Sequence, residues 1–317
     1  MINRPEIPCL MALTHTQGWK YEQINNIIAK IKGNSKCSIA EFFGLSPDNW
    51  MDNFGLSKKE TLHLENVKKE IPKYSFLAED LFAQGYEIIP VNSPEYPETL
   101  KQNLGFRSPP ILYVKGNKNL LKEKSVAIVG SRDASEIALK FTDNIAMLAS
   151  GEHKVVVSGF ARGVDRQALD SALKYKGKGL IVLPQGIMTF YSGFKAYYRQ
   201  IVEGNVLVLS TFFPKAPWSV ELAMARNSVI YGLAGEIYVA ESNETGGTWS
   251  GVMDGMRKGR KIYIRKPEPY ENNANNKLMD IGVIPVSFEG QPVLGYKSLS
   301  PEIYLVKEKH EKISKLM

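Results

Sequence analysis

Residues 125–165 read SVAIVGSRDASEIALKFTDNIAMLASGEHKVVVSGFARGVD. An apolar run, Ser125–Val129, ends in the turn Gly130-Ser131-Arg132. Ile137, Phe141, Ile145 and Leu148 then recur at helical spacing. A second apolar run, Val155–Val157, ends in a second glycine-rich turn, Ser158-Gly159-Phe160-Ala161-Arg162-Gly163-Val164-Asp165. Strand, turn, helix, strand and turn in that order make a βαβ unit, whose crossover is right-handed and whose strands are parallel.

The pattern continues downstream. Gly179–Leu183, Asn205–Leu209, Glu236–Ala240 and Lys261–Ile264 are further strand candidates, with helical stretches between them. One such stretch carries Phe194, Tyr197, Tyr198, Ile201 and Val202. The predicted fold class is α/β: an extended Rossmann-like domain with a mainly parallel sheet, preceded by a small helical domain.

Upstream, residues 73–118 are proline-rich and hold two short strand candidates, Tyr86–Val91 and Ile111–Val114. Before them lie short helices. Ile24, Ile27, Ile28 and Ile31 mark one apolar helical face, and Gly33-Asn34 offers its stop. Ser46-Pro47 is an N-cap followed by proline at the first helical position, and Ser57 with Glu60 makes a capping-box pattern. Gly-Leu-Ser occurs at 44–46 and again at 55–57, in the manner of helical hairpin modules. The expected division is a helical domain over 1–75, the Rossmann-like domain over 76–290 and a tail over 291–317 with a charged helix candidate.

The net charge of +7 favours a polyanionic partner but says nothing of the fold. Two cysteines, Cys9 and Cys37, without a CxxC, and four scattered histidines give no disulfide framework and no metal cluster. The first residues lack the apolar core of a signal peptide, and no window is long and apolar enough for a membrane span, so a cytoplasmic setting is expected.

Ligands of an open parallel sheet bind beyond the carboxyl ends of its strands. The candidates there are Gly130, Ser131 and Arg132 after the first strand, and Ser158, Gly159, Arg162 and Gly163 after the second. Gly246, Gly247 and Thr248 follow the fifth. Glycines and hydroxyls at helix starts let backbone N–H groups meet an anion, and an arginine adds forked bonds to phosphate. Lys195 and Arg199 are interleaved with Phe190, Tyr191 and Phe194, a mixture suited to a strand whose bases stack while cations follow its phosphates. Many of these aromatics are equally expected in the core. No G-x-G-x-x-G, P-loop, HExxH or G-x-S-x-G is present, so no cofactor, metal or catalytic group is assigned. Asp165 and Glu241 could form an acid–base pair; ordering their own turns is the simpler reading.

The ordered set SVAIVGSRDAS (125–135), VVVSGFARGVD (155–165), Arg226-Asn227-Ser228-Val229-Ile230, PEYPETL (94–100) and PILYVKG (110–116) resembles the DNA-processing protein A, or Smf, family over roughly residues 20–290. The resemblance implies single-stranded-DNA binding, homodimers and loading of a RecA-type recombinase. Its DNA pocket carries over to Gly130, Ser131 and Arg132, and further to Arg162 and Arg226; Asn227, beside Arg226, is a further DNA-binding candidate. Leu169 stands where many members have histidine. The alternative is a nucleotide-binding protein or phosphoribohydrolase of the lysine-decarboxylase-like group. Thr245-Gly246-Gly247-Thr248 matches that signature only in part, and Gly251-Val252 occupy the place of its glutamate.

Overall fold

A computed structural model describes residues 5–33, 37–293 and 295. The amino-terminal region is helical: α1 Glu6–Thr14, α2 Tyr21–Gly33, α3 Ile39–Gly44, α4 Pro47–Phe54 and α5 Lys58–Ala83. The four isoleucines of α2 are all buried. Ser46 caps α4 with Pro47 behind it, and Ser57 with Glu60 forms a reciprocal capping box on α5. No break occurs near residue 75. Pro72 sits exposed inside α5, and the helix continues because Tyr74, Leu77, Ala78 and Leu81 carry its buried face onward. That packing offsets the roughly 3 kcal/mol an interior proline costs.

The sheet follows, with strands β1 Glu87–Pro90, β2 Ile111–Gly116, β3 Ser125–Val129, β4 Val155–Ser158 and β5 Lys178–Val182. After them come β6 Val206–Ser210, β7 Glu236–Val239, β8 Ile262–Arg265 and β9 Ile284–Val286. The helices between are α6 Glu98–Leu104, α7 Glu136–Gly151, α8 Val164–Lys174, α9 Tyr191–Ala196 and α10 Tyr198–Val202. The last three are α11 Val220–Leu233, α12 Gly247–Arg257 and α13 Asn275–Asp280. The aromatic stretch expected as one helix is therefore two short ones, parted at Tyr197.

The strands form one sheet in the order β1-β2-β6-β5-β4-β3-β7-β8-β9. Seven of them, β6 to β9 in that order, run parallel, and β2 and β1 join antiparallel at one edge. Their valine-rich central strands are buried on both faces, as a covered parallel sheet requires. This is the Rossmann-like α/β fold expected from the sequence. On α7, Leu148 is 39% exposed and Ala149 takes the inward place.

The helical region docks onto the β2–β6 side of the sheet. His15 Nε2 bonds Tyr113 Oη at 2.8 Å, and its ring stacks on Tyr74 and Tyr113. Tyr21 donates to the Thr211 carbonyl, and one hydrophobic cluster runs from α1 through the sheet. The charged helix candidate of the tail lies outside the described residues. No described helix is long and apolar enough to cross a membrane.

Candidate functional site

β3 starts the parallel run β3-β4-β5-β6, and the chain then returns to lay β7 on the other side of β3. The connections leave β3 and β7 in opposite directions, which opens a crevice at their carboxyl ends. A cleft of about 350 Å³ lies there, flanked by α11. It brings together Gly130, Ser131 and Arg132 after β3, Arg226 and Asn227 from α11, and Gly246, Gly247 and Thr248 at the start of α12.

Within the first turn one side chain, that of Arg132, has no partner among the described residues. The Ser131 amide donates to the Glu241 carbonyl at 3.0 Å, and the Ser131 hydroxyl accepts from the Asp133 amide. A Cβ on Gly130 would meet Val164 Cγ2 at 2.6 Å, so this glycine lets α8 close onto the turn. Arg132 is exposed and has no hydrogen bond or ion pair among the described residues. It pairs with neither Asp133 nor Asp165.

Arg226 is the opposite case. It is 4% exposed, with Nη1 3.5 Å from Asp165 Oδ2 and 3.3 Å from the Val182 carbonyl. Burial pushes the Asp165 carboxyl up; Arg226, the Ala161 amide and Arg132 pull it down. Burial likewise pushes the Arg226 guanidinium down, opposed by Asp165. Gly159 is a glycine because of this arginine: a Cβ there would lie 1.1 Å from Nη1.

Two donors in the cleft wall remain without partners among the described residues, Arg226 Nε and Tyr231 Oη. An unmet buried donor costs about 1–3 kcal/mol, so both groups favour an acceptor in the cleft. The other wall supplies backbone donors. No side chain caps α12, whose Gly246 has φ +92° and ψ −169°, a conformation open essentially to glycine alone. The first-turn amides of α12 and its dipole thus face the cleft unengaged.

Both candidate acid–base carboxylates are held internally. Asp165 is paired as described, and Glu241 accepts from the Ser135 hydroxyl at 2.6 Å and from its amide, which anchors the start of α7.

A family model, DNA recombination-mediator protein A, matches residues 87–287. The chain belongs to this family. The DNA processing protein DprA of Streptococcus pneumoniae is 33% identical over 159 residues, 50% of this chain and 56% of that protein. The DprA of Bacillus subtilis is 26% identical over 182 residues, 57% of this chain and 60% of that one. The chain therefore spans less than two thirds of the length of these curated relatives. The solved structure of S. pneumoniae DprA superposes with a TM-score of 0.71 at 26% identity, covering 90% of this chain and 95% of that one. The Helicobacter pylori DNA processing protein A, solved for its single-stranded-DNA binding mode, shares the fold at a TM-score of 0.55 and 19% identity, covering 71% of this chain and 96% of that one.

The other residues singled out in this family member lie outside the cleft lining. Ser158 is fully buried and donates to the Asp165 carbonyl. Gly163 packs against the carbonyls of Ser131 and Arg132. Arg162 points to solvent and pairs with Asp133. Lys195 and Arg199 sit on α9 and α10, and Arg199 pairs with Glu203 one helical turn on. Among the aromatics, Phe160 packs edge-on against Phe190 and Tyr197 beneath the Arg166 guanidinium, whereas Tyr191 and Trp218 are exposed.

Sequence reasoning missed Tyr231 and the apolar wall of Val220, Ala223, Met224 and Ile230. A signal existed. Once Asn227 is placed in the site, positions three and four residues away on the same helix face it too: Ala223, Met224, Ile230 and Tyr231.

Proposed function

We propose that the chain binds single-stranded DNA across the β3–β7 cleft, with Arg132 as the principal phosphate anchor, and that it hydrolyses nothing. The observation that carries this reading is the unpartnered Arg132 at the switch point, facing the uncapped start of α12. One wall offers a guanidinium fork and the other backbone amides, and a phosphodiester accepts from both. Trp218 and Tyr191 are exposed rings on which bases could stack. Asp165 and Glu241 are both engaged internally, and Asp133, the other carboxylate that lines the cleft, is paired with Arg162. Family membership supports a role in DNA processing and recombination. Homodimerisation and the loading of a RecA-type recombinase are part of the same proposal. So is the division of labour in which the α/β domain binds and the helical domain braces it.

The test is a salt series of binding to a single-stranded oligonucleotide, the matching duplex and mononucleotides. Preference for the single strand at matched salt is expected, with a log–log slope of about −0.7 for each phosphate neutralised. Equal affinity for the duplex, or no salt dependence, overturns the proposal. Release of free base from nucleoside monophosphates, abolished by Glu241→Gln, overturns its non-catalytic part.

A further inference from the structure

A second chamber, of about 300 Å³, lies where α2 meets the segment after α6, and it shares no lining residue with the β3–β7 cleft. Its walls are apolar: Ile28 and Ala29 from α2, Val91 from the end of β1, and Phe106, which is 54% exposed. This size and lining are those of a small-molecule site, in which a few polar groups fix orientation.

The polar groups are specific. Asn25 is 7% exposed, and its Nδ2 donates to two carbonyls, Phe106 at 2.7 Å and Ser108 at 2.8 Å. Those two bonds fix which end of the amide is nitrogen. The remaining end, Oδ1, is therefore an acceptor, and it is buried without a partner among the described residues. Asn92 also lines the chamber with its Oδ1 buried and unpartnered. Lys32 and Lys101 lie at the rim, both exposed and without an ion pair among the described residues. Asn92 and Lys101 are shared with an adjoining polar hollow that also holds Ser93, Thr99 and Lys122. The one carboxylate there, Glu98, accepts from Gln102.

We infer that this chamber binds a free purine nucleoside 5′-monophosphate. The base lies between Phe106 and the α2 wall, its exocyclic amine donates to Asn25 Oδ1, and the phosphate rests toward Lys101 and Lys122. Each feature requires a different part of the ligand. The apolar walls take a flat ring, the acceptors take an N–H edge, and the lysines take an anion. A nucleobase with its phosphate carries all three. Asparagine is a recurrent acceptor for the adenine amine for the same reason.

The test uses dAMP with the full chain bearing Arg132→Ala, which removes the expected phosphate anchor of the main cleft. Calorimetry should show saturable binding at one site. Ala29→Trp, at an exposed helix position, fills the chamber and abolishes it. Lys101→Glu weakens it by about fivefold or more, as does a purine nucleotide lacking the exocyclic amine. Both substitutions leave single-strand affinity unchanged in the otherwise wild-type chain, so this inference and the DNA-binding proposal fail separately. No saturable binding, or binding that neither Ala29→Trp nor Lys101→Glu alters, overturns the inference. Displacement of dAMP by a dA oligomer as effectively as by dAMP itself makes the occupant a strand and overturns it as well.

Discussion

The turns after β3 and β4 are built from the same residue types and end in opposite states. Each has glycine, serine, arginine and an aspartate. After β3, Arg132 is exposed and unpartnered at the mouth of the cleft. After β4, Ser158 is bonded within the turn, Gly159 lies flat beneath Arg226, and Arg162 is paired to Asp133. Strand order accounts for the difference. β3 borders the crevice where the connections diverge, whereas β4 is one strand removed and its turn instead buttresses the first. An arginine after a parallel strand is thus left free or tied to a neighbouring turn according to its neighbours in space.

The strongest way to break this comparison is at Arg226. If it is scaffold, Arg226→Ala leaves Asp165 buried without its counter-charge, and stability should fall by about 3–5 kcal/mol in urea unfolding at pH 7. The pH dependence has a definite sign. Burial already raises the Asp165 carboxyl above its unfolded value, and loss of Arg226 raises it further. A raised acid stabilises fully below its unfolded value, near 4, and loses that contribution as pH rises through the folded value. The deficit of Arg226→Ala should therefore shrink as pH falls from 7 toward 4. Wild-type stability in this variant would mean that Arg226 is free to serve a ligand instead.

Arg132→Ala should do the converse. Loss of a charged hydrogen-bonding partner costs roughly 1.5–3 kcal/mol, or about 10- to 150-fold in single-strand affinity. The melting temperature should stay within a degree or two, since this side chain has no hydrogen bond or ion pair among the described residues. Arg132→Lys keeps the charge but loses the fork, and should fall between. A drop in melting temperature with unchanged affinity reverses the assignment.

How much of this was readable from the chain follows from the same contrast. The strands and their parallel direction in βαβ units were legible, because apolar runs alternate with helical periodicity from Ser125 to Ile264. Gly130-Ser131-Arg132 and Gly246-Gly247-Thr248 were legible as glycine-rich turns at strand ends, and the sheet places them in one cleft. What the chain does not spell out is strand order. Without it, Ser158, Gly159, Arg162 and Gly163 look as suitable as the residues after β3. Lys195 and Arg199, which belong to the connection between β5 and β6, look suitable too. Burial was hidden for Arg226 because its partner, Asp165, lies 61 positions away in sequence. An interior proline such as Pro72 ordinarily breaks a helix, whereas the buried face of α5 carries the helix through it.

A smaller effect sharpens the other wall. Gly246→Ala meets no neighbouring atom, yet its backbone lies in a region that side-chain-bearing residues avoid, at a cost of about 1–2 kcal/mol. The turn should relax by shifting the start of α12, so single-strand affinity should fall severalfold while the far-ultraviolet spectrum is unchanged. Unaltered affinity would remove the α12 amides from the binding surface.

The smallest effect expected is at Arg162, and it separates contact from screening. Arg162 and Asp133 are 77% and 79% exposed, so their ion pair adds less than about 1 kcal/mol to stability. Asp133 lines the cleft beside Arg132, whereas Arg162 does not. If the cleft binds DNA as proposed, Arg162 acts on it through Asp133, by neutralising a carboxylate that would otherwise repel phosphate. Arg162→Ala should weaken single-strand binding by less than about fivefold, equivalent to a fraction of one rim charge pair. Adding Asp133→Asn should restore the affinity, because the carboxylate left exposed is then gone. If Arg162 touches phosphate directly, the second substitution restores nothing, and the salt slope of Arg162→Ala drops by about 0.7. In that event the turn after β4 joins the interface, and the contrast with the turn after β3 no longer holds.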